Sequence, residues 1–438
     1  MRRFLTAIIP VLLAIGLAGC AETEQQEPVT LKVLTWSEQY FNQNYGDLFT
    51  AKNSEYDLQV TSLSERLEPG EDLNQAVEKA VEEVNPDLLA LNMDYYLHLR
   101  EQGKLATLTD WMNKDDINLN EFMPAVVSYL KDDQQELHGL TASFTGSALY
   151  YNKRLFREKG IPYPQGTMTW DEVFKLADSF TKMGTDQGRT YGFVSKESAY
   201  PFMMALKIGE ASGLNFFRSH TFTFNTPAWE KVFAQVLTCH SNKTCYAAMP
   251  DTTMKTNIVE QEKETYPFLK DHVAMAVDSS DLYRVLTYNE KRYEGLDWGV
   301  LPMPVSNEQP DTGSGISISH VFSIPAQAKH KDQAWEFIRY ISSEEYAKTM
   351  SSVNPYELPI RTGEEQNEEI NVFYNMKAIN NSLNRTLRRL PAEVIMEMDE
   401  VTEKYVTAFL EKELSLSDAL NRMNDELQSL YDQSEGLE

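Results

Sequence analysis

The sequence predicts an α/β fold, in which strands and helices alternate along the chain and pack in layers. Three segments near the start indicate this class. Residues 29–36 alternate apolar and polar side chains like a half-buried strand, and residues 71–84 carry apolar side chains at helical spacing. Residues 85–92 then form a short apolar run, in which Pro86 ends the helical pattern. Strand, helix and strand in this order are typical of a βαβ unit and therefore of a layered α/β domain.

The segment at 71–84 predicts an amphipathic helix because its apolar residues recur at intervals of three and four. These residues are Leu73, Ala76, Val77, Ala80, Val81 and Val84.

Further along the chain, residues 148–151 favour a strand, and residues 152–160 form a short amphipathic helix that stops at Gly160. Thr169 and Glu172 then have the spacing of a capping box, in which each side chain accepts a hydrogen bond from an otherwise unpaired amide.

Two later stretches repeat the helical pattern. Residues 331–342 place Ala334, Phe337 and Ile338 on one face, and a helix capped by Ser415 carries a similar apolar face near the end of the chain.

The N-terminus predicts export followed by lipidation. Arg2 and Arg3 precede an apolar run, from residue 4 to residue 17, that is too short for a permanent membrane span. The "LAGC" that follows resembles the bacterial lipobox, which implies a lipoprotein signal peptide at 1–19 and lipidation of Cys20. Residues 20–28 are polar and acidic, as expected of a tether to the outer face of a membrane. An ordinary signal peptide or an uncleaved anchor is the alternative.

The charge balance excludes some partners. The chain has 40 basic and 66 acidic residues and a net charge of −26, whereas binding to nucleic acid or to anionic lipid needs a basic surface. The same acidity disfavours anionic ligands, although more weakly. No second apolar run of membrane-spanning length occurs, so we expect membrane contact through the lipid anchor only.

Apart from Cys20, the cysteines are Cys239 and Cys245. Two cysteines close together in an exported protein are most simply a disulfide. A metal site that uses both cysteines and His240 is the alternative, but the other histidines supply no paired fourth ligand.

A set of motifs in order resembles the family-1 extracellular solute-binding proteins of ABC sugar transporters, the relatives of maltose-binding protein. The motifs span nearly the whole chain after the lipobox. They are "NPDLLALN", "ALYYNKRLFREKGIPYP", "TMTWDEVFKLA", "HVAMAVDSS", "DWGVLPMP", "SISHVFSIPAQAKHKDQAWEFIRYISSEEYAK", "YELPIR" and the stretch from "LPAEVIMEMDE" to "NRMNDEL".

The resemblance implies a two-lobe periplasmic-binding-protein type II fold, in which two α/β lobes are joined by a hinge of crossing strands. We place the crossings near 140–143, 300–303 and 323–327. Lobe one would comprise 29–141 plus 303–324, and lobe two 142–302 plus 325–438.

The resemblance also implies a ligand between the lobes, held by loops at the ends of strands. Aromatic rings would cover the apolar faces of a sugar, while carboxylates, amides and hydroxyls would bind its hydroxyl groups. The candidate ligand-binding residues are Trp36, Ser37, Glu38, Tyr40, Asp94, Tyr95, Thr145, Glu197, Tyr200, Asp278, Ser280 and His320.

The function expected is that of a monomeric receptor which captures a carbohydrate, expected to be an oligosaccharide, and delivers it to an ABC permease with a separate ATPase subunit. We expect no metal, no cofactor and no nucleic acid. An exported carbohydrate-active enzyme is one alternative, since paired carboxylates near aromatic rings would suit a glycosidase. A sensor or interaction module on the same fold is the other.

Overall fold

The computed structural model describes residues 28–68, 71–180, 189–247, 253, 255–288, 290–354, 356–362, 368–380 and 382–435. The predicted signal peptide, the predicted lipidation site Cys20 and residues 21–27 of the predicted tether lie outside the described residues.

The strands of the described residues are β1 (Val29–Thr35), β2 (Tyr56–Ser62), β3 (Leu88–Leu91), β4 (Gly139–Leu140), β5 (Ser143–Phe144), β6 (Ser147–Asn152), β7 (Tyr191–Ser195), β8 (Phe217–Arg218), β9 (Thr221–Phe222), β10 (Val273–Ser279), β11 (Trp298–Pro302), β12 (Thr312–Gly313), β13 (Val321–Ser323), β14 (Leu358–Pro359) and β15 (Ala378–Ile379).

The α-helices are α1 (Glu38–Phe41), α2 (Asp47–Lys52), α3 (Leu73–Val84), α4 (Met93–Glu101), α5 (Thr109–Lys114), α6 (Pro124–Leu130), α7 (Lys153–Lys159), α8 (Trp170–Ala177), α9 (Pro201–Ala211), α10 (Pro227–Ser241), α11 (Ile258–Thr265), α12 (Ser280–Tyr288), α13 (Lys331–Ile341), α14 (Glu344–Val353), α15 (Glu368–Asn371), α16 (Ser382–Leu387), α17 (Ala392–Leu410) and α18 (Leu416–Glu435). A π-helix (Asn42–Gly46) and short 3₁₀ helices (Leu119–Glu121, Asp178–Phe180, Pro267–Lys270 and Glu290–Arg292) complete the helical segments.

A mixed sheet in the order β2-β1-β3-β13-β4 forms the centre of the first lobe. β1 runs parallel to β2 and β3, whereas β13 is antiparallel to both of its neighbours. Leu31 and Val33 of β1 are buried, and Lys32 between them is exposed, as the alternating sequence predicts. β2, which the sequence analysis did not predict, adds an outer strand beside β1.

The predicted helix at 71–84 is confirmed as α3. The Asp72 carboxylate accepts a hydrogen bond of 2.9 Å from the amide of Gln75 at its start, and Asn85 ends it in the left-handed conformation with φ of 49°. The middle of the predicted apolar face is buried, whereas Leu73 in the first turn is 46% exposed. α3 leads directly into β3, so the predicted strand–helix–strand order is confirmed.

A second mixed sheet, in the order β11-β6-β10-β7, forms the centre of the second lobe. β10 is parallel to β7 and antiparallel to β6, which also pairs with β11. The predicted capping box begins α8: the Thr169 amide donates to the Glu172 carboxylate at 2.8 Å, and the Glu172 amide donates to the Thr169 hydroxyl at 3.3 Å. α17 and α18 pack together and against α10.

A disulfide joins Cys239, near the end of α10, to Cys245, with Cα atoms 5.2 Å apart. The next residue, Tyr246, donates its amide to the carbonyl of Phe193 in β7 at 2.8 Å. The bridged loop therefore connects α10 to the edge of the second sheet.

The chain passes from the first sheet to the second between β4 and β6, beside the crossing expected at 140–143. It returns between β11 and β13, after the crossing expected at 300–303. The third passage lies later than the expected 323–327, because α13 packs on the first lobe. The ring of Phe337 in α13 stacks on Phe41 with centroids 5.6 Å apart.

Contacts of the chain after α13 show where it passes from the first lobe to the second for the last time. The Thr362 amide still donates to the Glu121 carbonyl of the first lobe at 2.8 Å. Phe373 contacts Tyr283 of the second lobe, with ring centroids 5.8 Å apart. These contacts assign 331–353 to the first lobe, not to the second lobe (142–302 plus 325–438) in which we expected them. Periodicity correctly predicts the buried face of α13, but it does not identify the sheet that the face covers.

No helix in the described part of the chain combines the length and the apolar character needed to cross a bilayer.

Candidate functional site

A cavity of about 390 Å³, the interlobe cavity, opens where the two lobes face each other. Both lobes and the crossing segments line it, mostly with polar side chains. The lining residues are Asn92, Met93, Asp94, Tyr129, Thr145, Ser147, Lys196, Lys207, Glu210, Ser279, Gly315, Ile316, Ser317, Ile318, Ile379, Asn380 and Asn384.

The first lobe contributes the start of α4, directly after β3. The Asn92 side chain accepts hydrogen bonds from the amides of Asp94 and Tyr95, at 3.1 and 3.0 Å, and so caps the helix. This arrangement fixes the position of Asp94 at the cavity wall. The Asp94 carboxylate forms an ion pair with Arg388, which follows α16 of the second lobe, so the pair bridges the lobes.

The second lobe contributes the ends of two parallel neighbours, β7 and β10. Lys196 follows β7, and its ammonium group donates to the Ser279 hydroxyl at 3.5 Å and lies 3.8 Å from the Asp278 carboxylate. Burial raises the pKa of Asp278 to about 7, although Lys196 opposes the shift. The cavity wall here has an exposed ammonium group, and behind it lies a buried carboxyl group whose pKa is near neutral.

Glu210 of α9 adds a buried carboxylate to the second wall. It is 3% exposed and accepts a hydrogen bond of 2.7 Å from the Leu383 amide. Burial raises its pKa. The Asn380 side chain donates to the Glu210 carbonyl at 2.6 Å, so α9 is fixed to the segment that leads into α16.

The crossing segments form the back of the cavity. Thr145 and Ser317 exchange two backbone hydrogen bonds of 2.9 Å. Gly315 adopts a φ of +86°, and a Cβ there would lie 2.7 Å from the Ser147 hydroxyl. That hydroxyl donates to the Gly315 carbonyl at 3.1 Å, so a close backbone approach joins the two strands behind the cavity.

Of the ligand-binding residues predicted from the sequence, Asp94 and Thr145 line the interlobe cavity. Trp36 and Tyr95 lie beside this wall without lining it. Trp36 is 39% exposed and stacks on the buried ring of Tyr95, with centroids 6.2 Å apart and planes at 18°. The pair presents one supported aromatic face to solvent.

Three other predicted residues lie together away from the cavity. The Ser37 hydroxyl caps α1, and the Tyr40 ring stacks on His320 with centroids 5.1 Å apart. The Tyr40 hydroxyl donates to the Glu357 carboxylate at 2.8 Å, and burial is the main cause that raises its pKa. Burial also lowers the pKa of His320 to about 4, so its imidazole is neutral at physiological pH. These side chains stabilise the first lobe beside the hinge.

The remaining predicted residues divide by burial. Glu38 and Tyr200 are exposed, and Glu197 is half-buried beside Lys196, but none of the three lines the cavity. Ser280 is fully buried at the start of α12, where its amide donates to the Gly146 carbonyl at 2.7 Å. Its hydroxyl has no hydrogen-bond partner among the described residues. The Asp278 carboxyl group does not line the cavity itself, but it contacts Lys196 and Ser279, which do.

Several residues that line the cavity lie one or two positions away from a residue that the sequence predicted to bind the ligand. Lys196 precedes the predicted Glu197, Ser147 follows Thr145 by two, and Ser279 lies between the predicted Asp278 and Ser280. The sequence located the ends of β7 and β10 correctly, but neighbouring side chains point in different directions, so an error of one position selects a residue that does not line the cavity. Three further lining residues lie on helices, where no motif in the sequence pointed to a ligand site. They are Lys207, Glu210 and Asn384.

The donors and acceptors of the cavity suit hydroxyl groups. No group of three histidine, cysteine or acidic residues within the described ranges could hold a metal ion. The cavity instead offers amide, hydroxyl, ammonium and carboxylate groups from two lobes. This arrangement can bind a polar molecule by many hydrogen bonds.

Comparison with known families identifies the chain. The family model of the bacterial extracellular solute-binding proteins matches residues 47–378, most of the sequence. The chain belongs to this family. Because the family is extracellular, membership implies that this solute-binding protein is exported, and the family expected from the sequence motifs is confirmed.

Solved structures agree with the two-lobe fold. The solute-binding protein is similar to the sugar-binding protein MalE of Xanthomonas citri, with a TM-score of 0.67, 17% identity, and 93% of this chain and 99% of that chain covered. A sugar transporter of Rhizobium etli in an open conformation has a TM-score of 0.64 at 16% identity, with 91% and 99% covered. A family-1 extracellular solute-binding protein of Alicyclobacillus acidocaldarius has a TM-score of 0.62 at 15% identity, with 93% and 99% covered. The two-lobe α/β fold expected from the sequence is therefore confirmed.

Proposed function

We propose that the protein is a lipid-anchored receptor outside the cytoplasm that captures a carbohydrate in the interlobe cavity and delivers it to an ABC permease. The observation that carries the proposal is the cavity itself, in which polar side chains from both lobes converge on one space of about 390 Å³. A ligand there contacts both lobes at once. It therefore binds the closed arrangement more tightly than the open one, and this difference in affinity drives closure.

The cavity chemistry favours a sugar over an apolar ligand. Asp94, Asn384 and Thr145 offer a carboxylate, an amide and a hydroxyl, which can bind the hydroxyl groups of a sugar. Trp36, supported by Tyr95, offers an aromatic face for the C–H groups of a second ring outside the cavity. A ligand that occupies both places is an oligosaccharide. The structural similarity to sugar-binding relatives supports the same class.

Delivery to a permease is proposed from the family and from the sequence. The chain contains no G-x-x-x-x-G-K-[ST] motif, so the nucleotide-hydrolysing subunit would be a separate chain. Two acyl chains at Cys20 would hold the receptor at the membrane, since a single chain gives only marginal anchoring. The change Cys20→Ser should release the protein from the membrane fraction without changing its affinity for sugar.

Binding is tested by calorimetry and melting shifts with a panel of mono- and oligosaccharides. A ligand that binds only the folded state raises the melting temperature as its concentration increases. The change Ser317→Trp fills the cavity from an exposed position on its back wall and should abolish the shift. Ser54→Trp, at an exposed turn of the first lobe, is the matched control and should retain it.

Mass spectrometry of the recovered sugar separates a receptor from an enzyme. Unchanged sugar supports the proposal, whereas hydrolysis that Ser317→Trp abolishes would overturn it in favour of an enzyme. Absence of any sugar-dependent shift, together with binding to a protein partner, would favour a sensor or interaction module.

A further inference from the structure

A second cavity, the cationic pocket, adjoins the interlobe cavity and has a volume of about 350 Å³. The two cavities share Asp94 and Tyr129 in their walls, so they lie next to each other. Five basic side chains line the cationic pocket, whereas its acidic side chains are Asp94 and Glu101. The basic residues are Arg100, Lys131, Arg385, Arg388 and Arg389.

This local charge is the reverse of the charge of the whole protein. The chain has 66 acidic and 40 basic residues, so an average surface patch carries negative charge. Clustering five cations around one cavity costs electrostatic repulsion unless an anion compensates it. The acidity that disfavours anionic ligands elsewhere therefore does not apply at this position.

The basic groups have unused hydrogen-bonding capacity. The guanidinium groups of Arg385 and Arg389 form no hydrogen bond or ion pair with any described residue. Arg100 uses its Nη1 atom for the carbonyls of Leu130 and Lys131, at 3.1 and 2.9 Å. A guanidinium group has five donors, so each of these arginines can still bind an oxyanion.

The basic groups come from both lobes. Arg100 and Lys131 belong to the first lobe, whereas Arg385, Arg388 and Arg389 lie in and after α16 of the second. The ion pair between Arg388 and Asp94 joins the two faces and offsets part of the repulsion between them. An anion between the faces would attract both, and so would bind the closed arrangement more tightly than the open one.

We propose that the cationic pocket binds an anionic oxygen group, a carboxylate, sulfate or phosphate ester, carried by the saccharide in the interlobe cavity. The inference rests on the proposed function and specifies its substrate class as acidic oligosaccharides. The sugar rings occupy the interlobe cavity, and the charged substituent extends past Asp94 to Arg385 and Arg389. Closure of the lobes then depends on the charge of the ligand.

The test measures an affinity ratio by calorimetry. The probes are a uronic acid trisaccharide and the same trisaccharide with its carboxyl groups reduced to alcohols. The wild-type protein should bind the acidic form about tenfold or more tightly, because charge-assisted hydrogen bonds to arginine are stronger than neutral ones. This ratio should fall as salt rises from about 0.05 to 0.5 M, since salt screens the attraction.

Variants locate the effect. Arg385→Gln with Arg389→Gln should bring the ratio close to one. Arg218→Gln with Arg422→Gln removes the same charge from exposed sites outside both cavities and should leave the ratio unchanged. Inorganic phosphate, titrated alone, distinguishes a free anion from a substituent.

The outcomes separate the two proposals. Equal affinity for the acidic and reduced sugars overturns this inference while the carbohydrate receptor stands. If both double variants lose the preference for the acidic sugar, the anionic group does not bind in the cationic pocket. Binding of phosphate at these arginines without binding of either sugar overturns both the saccharide and the proposed function.

Discussion

The phenol of Tyr40 donates a hydrogen bond of 2.8 Å to the carboxylate of Glu357, which lies 317 positions later in the chain. The hydroxyl of Ser143, which lies in the first crossing of the chain, donates to the same carboxylate. Glu357 itself precedes β14, which pairs with β5. One carboxylate therefore fixes α1, the first crossing strand and the segment that leads into the last crossing relative to one another, beside the hinge on which closure depends.

Tyr40→Phe should destabilise the protein without weakening sugar binding. The change removes a hydroxyl that donates to a charged acceptor, a bond worth about 1.5–3 kcal/mol when formed away from water. Because Tyr40 is only partly buried, we expect a loss of about 1–2 kcal/mol in the free energy of unfolding, measured by urea denaturation. Tyr56→Phe is the control, since the Tyr56 hydroxyl has no hydrogen bond to a described residue. A loss of affinity in Tyr40→Phe with unchanged stability would instead place the phenol in the ligand site.

The sequence predicted the fold far better than the site, and the reason differs between the two. Burial patterns such as those of α3 and α13 depend on local periodicity, which the sequence carries directly. Assignment of α13 to a lobe depends on a long-range contact between Phe337 and Phe41, which periodicity does not encode. The site depends further on single side-chain directions, which is why Lys196 and Ser279 were missed beside correctly identified strand ends.

Removal of the disulfide should cost stability by a predictable amount. Cys239 and Cys245 are six positions apart, and closing so short a loop in the unfolded chain is worth about 2–3 kcal/mol in the chain-entropy model. The double change Cys239→Ala and Cys245→Ala should lower the free energy of unfolding by about this amount, and reductant should have no further effect. Equal stability of the wild-type protein with and without reductant would contradict the bond. A thiol titration of the unfolded protein checks the oxidation state independently.

Gly209→Ala should destabilise the second lobe although alanine favours helices. A Cβ at this position of α9 would lie 2.2 Å from the ring of Trp229, a side chain that is fully buried. Overpacking of this kind costs about 1–3 kcal/mol, which exceeds the helical preference of alanine of about 1 kcal/mol. Gly295→Ala is the control, because a Cβ there meets nothing within 4 Å. Urea denaturation of both variants decides the point, and equal stability would show that the Trp229 ring moves freely.

Asp278 should make the folded state less stable as pH rises. In the unfolded chain this carboxyl ionises near its ordinary value of 3.8, whereas burial raises the pKa in the folded protein to about 7. Between these values the folded state binds more protons, so the free energy of unfolding falls with rising pH and the loss is complete above about pH 7. Asp278→Asn removes this dependence. Relative to the wild-type protein, it should gain on the order of 3 kcal/mol between pH 4 and pH 8.

The comparison of Asp278→Asn with the wild-type protein isolates this group from the buried histidines, whose effect has the opposite sign. Asp57→Asn, at an exposed position of β2, is the control and should follow the wild-type curve. If the free energy of unfolding changed with pH in the same way for Asp278→Asn and the wild-type protein, Lys196, 3.8 Å away, would keep the carboxyl group ionised in the folded state.

Trp36→Ala should weaken binding of an oligosaccharide more than binding of a monosaccharide. Trp36 is the exposed member of its stacked pair with Tyr95, and it lies beside the interlobe cavity without lining it. A single sugar ring held in the cavity would not reach the indole, whereas a second ring would bury part of that face. The expected loss for the longer ligand is about tenfold in Kd, or roughly 1.4 kcal/mol, with little change for the shorter one.

Trp36→Phe keeps an aromatic face, so its affinity for the longer ligand should fall between those of the wild-type protein and Trp36→Ala. Tyr288→Ala, at a ring that is 58% exposed and outside both cavities, should change neither affinity. Equal losses for both ligand lengths would place Trp36 against the first sugar ring, and no loss for either would remove it from the site.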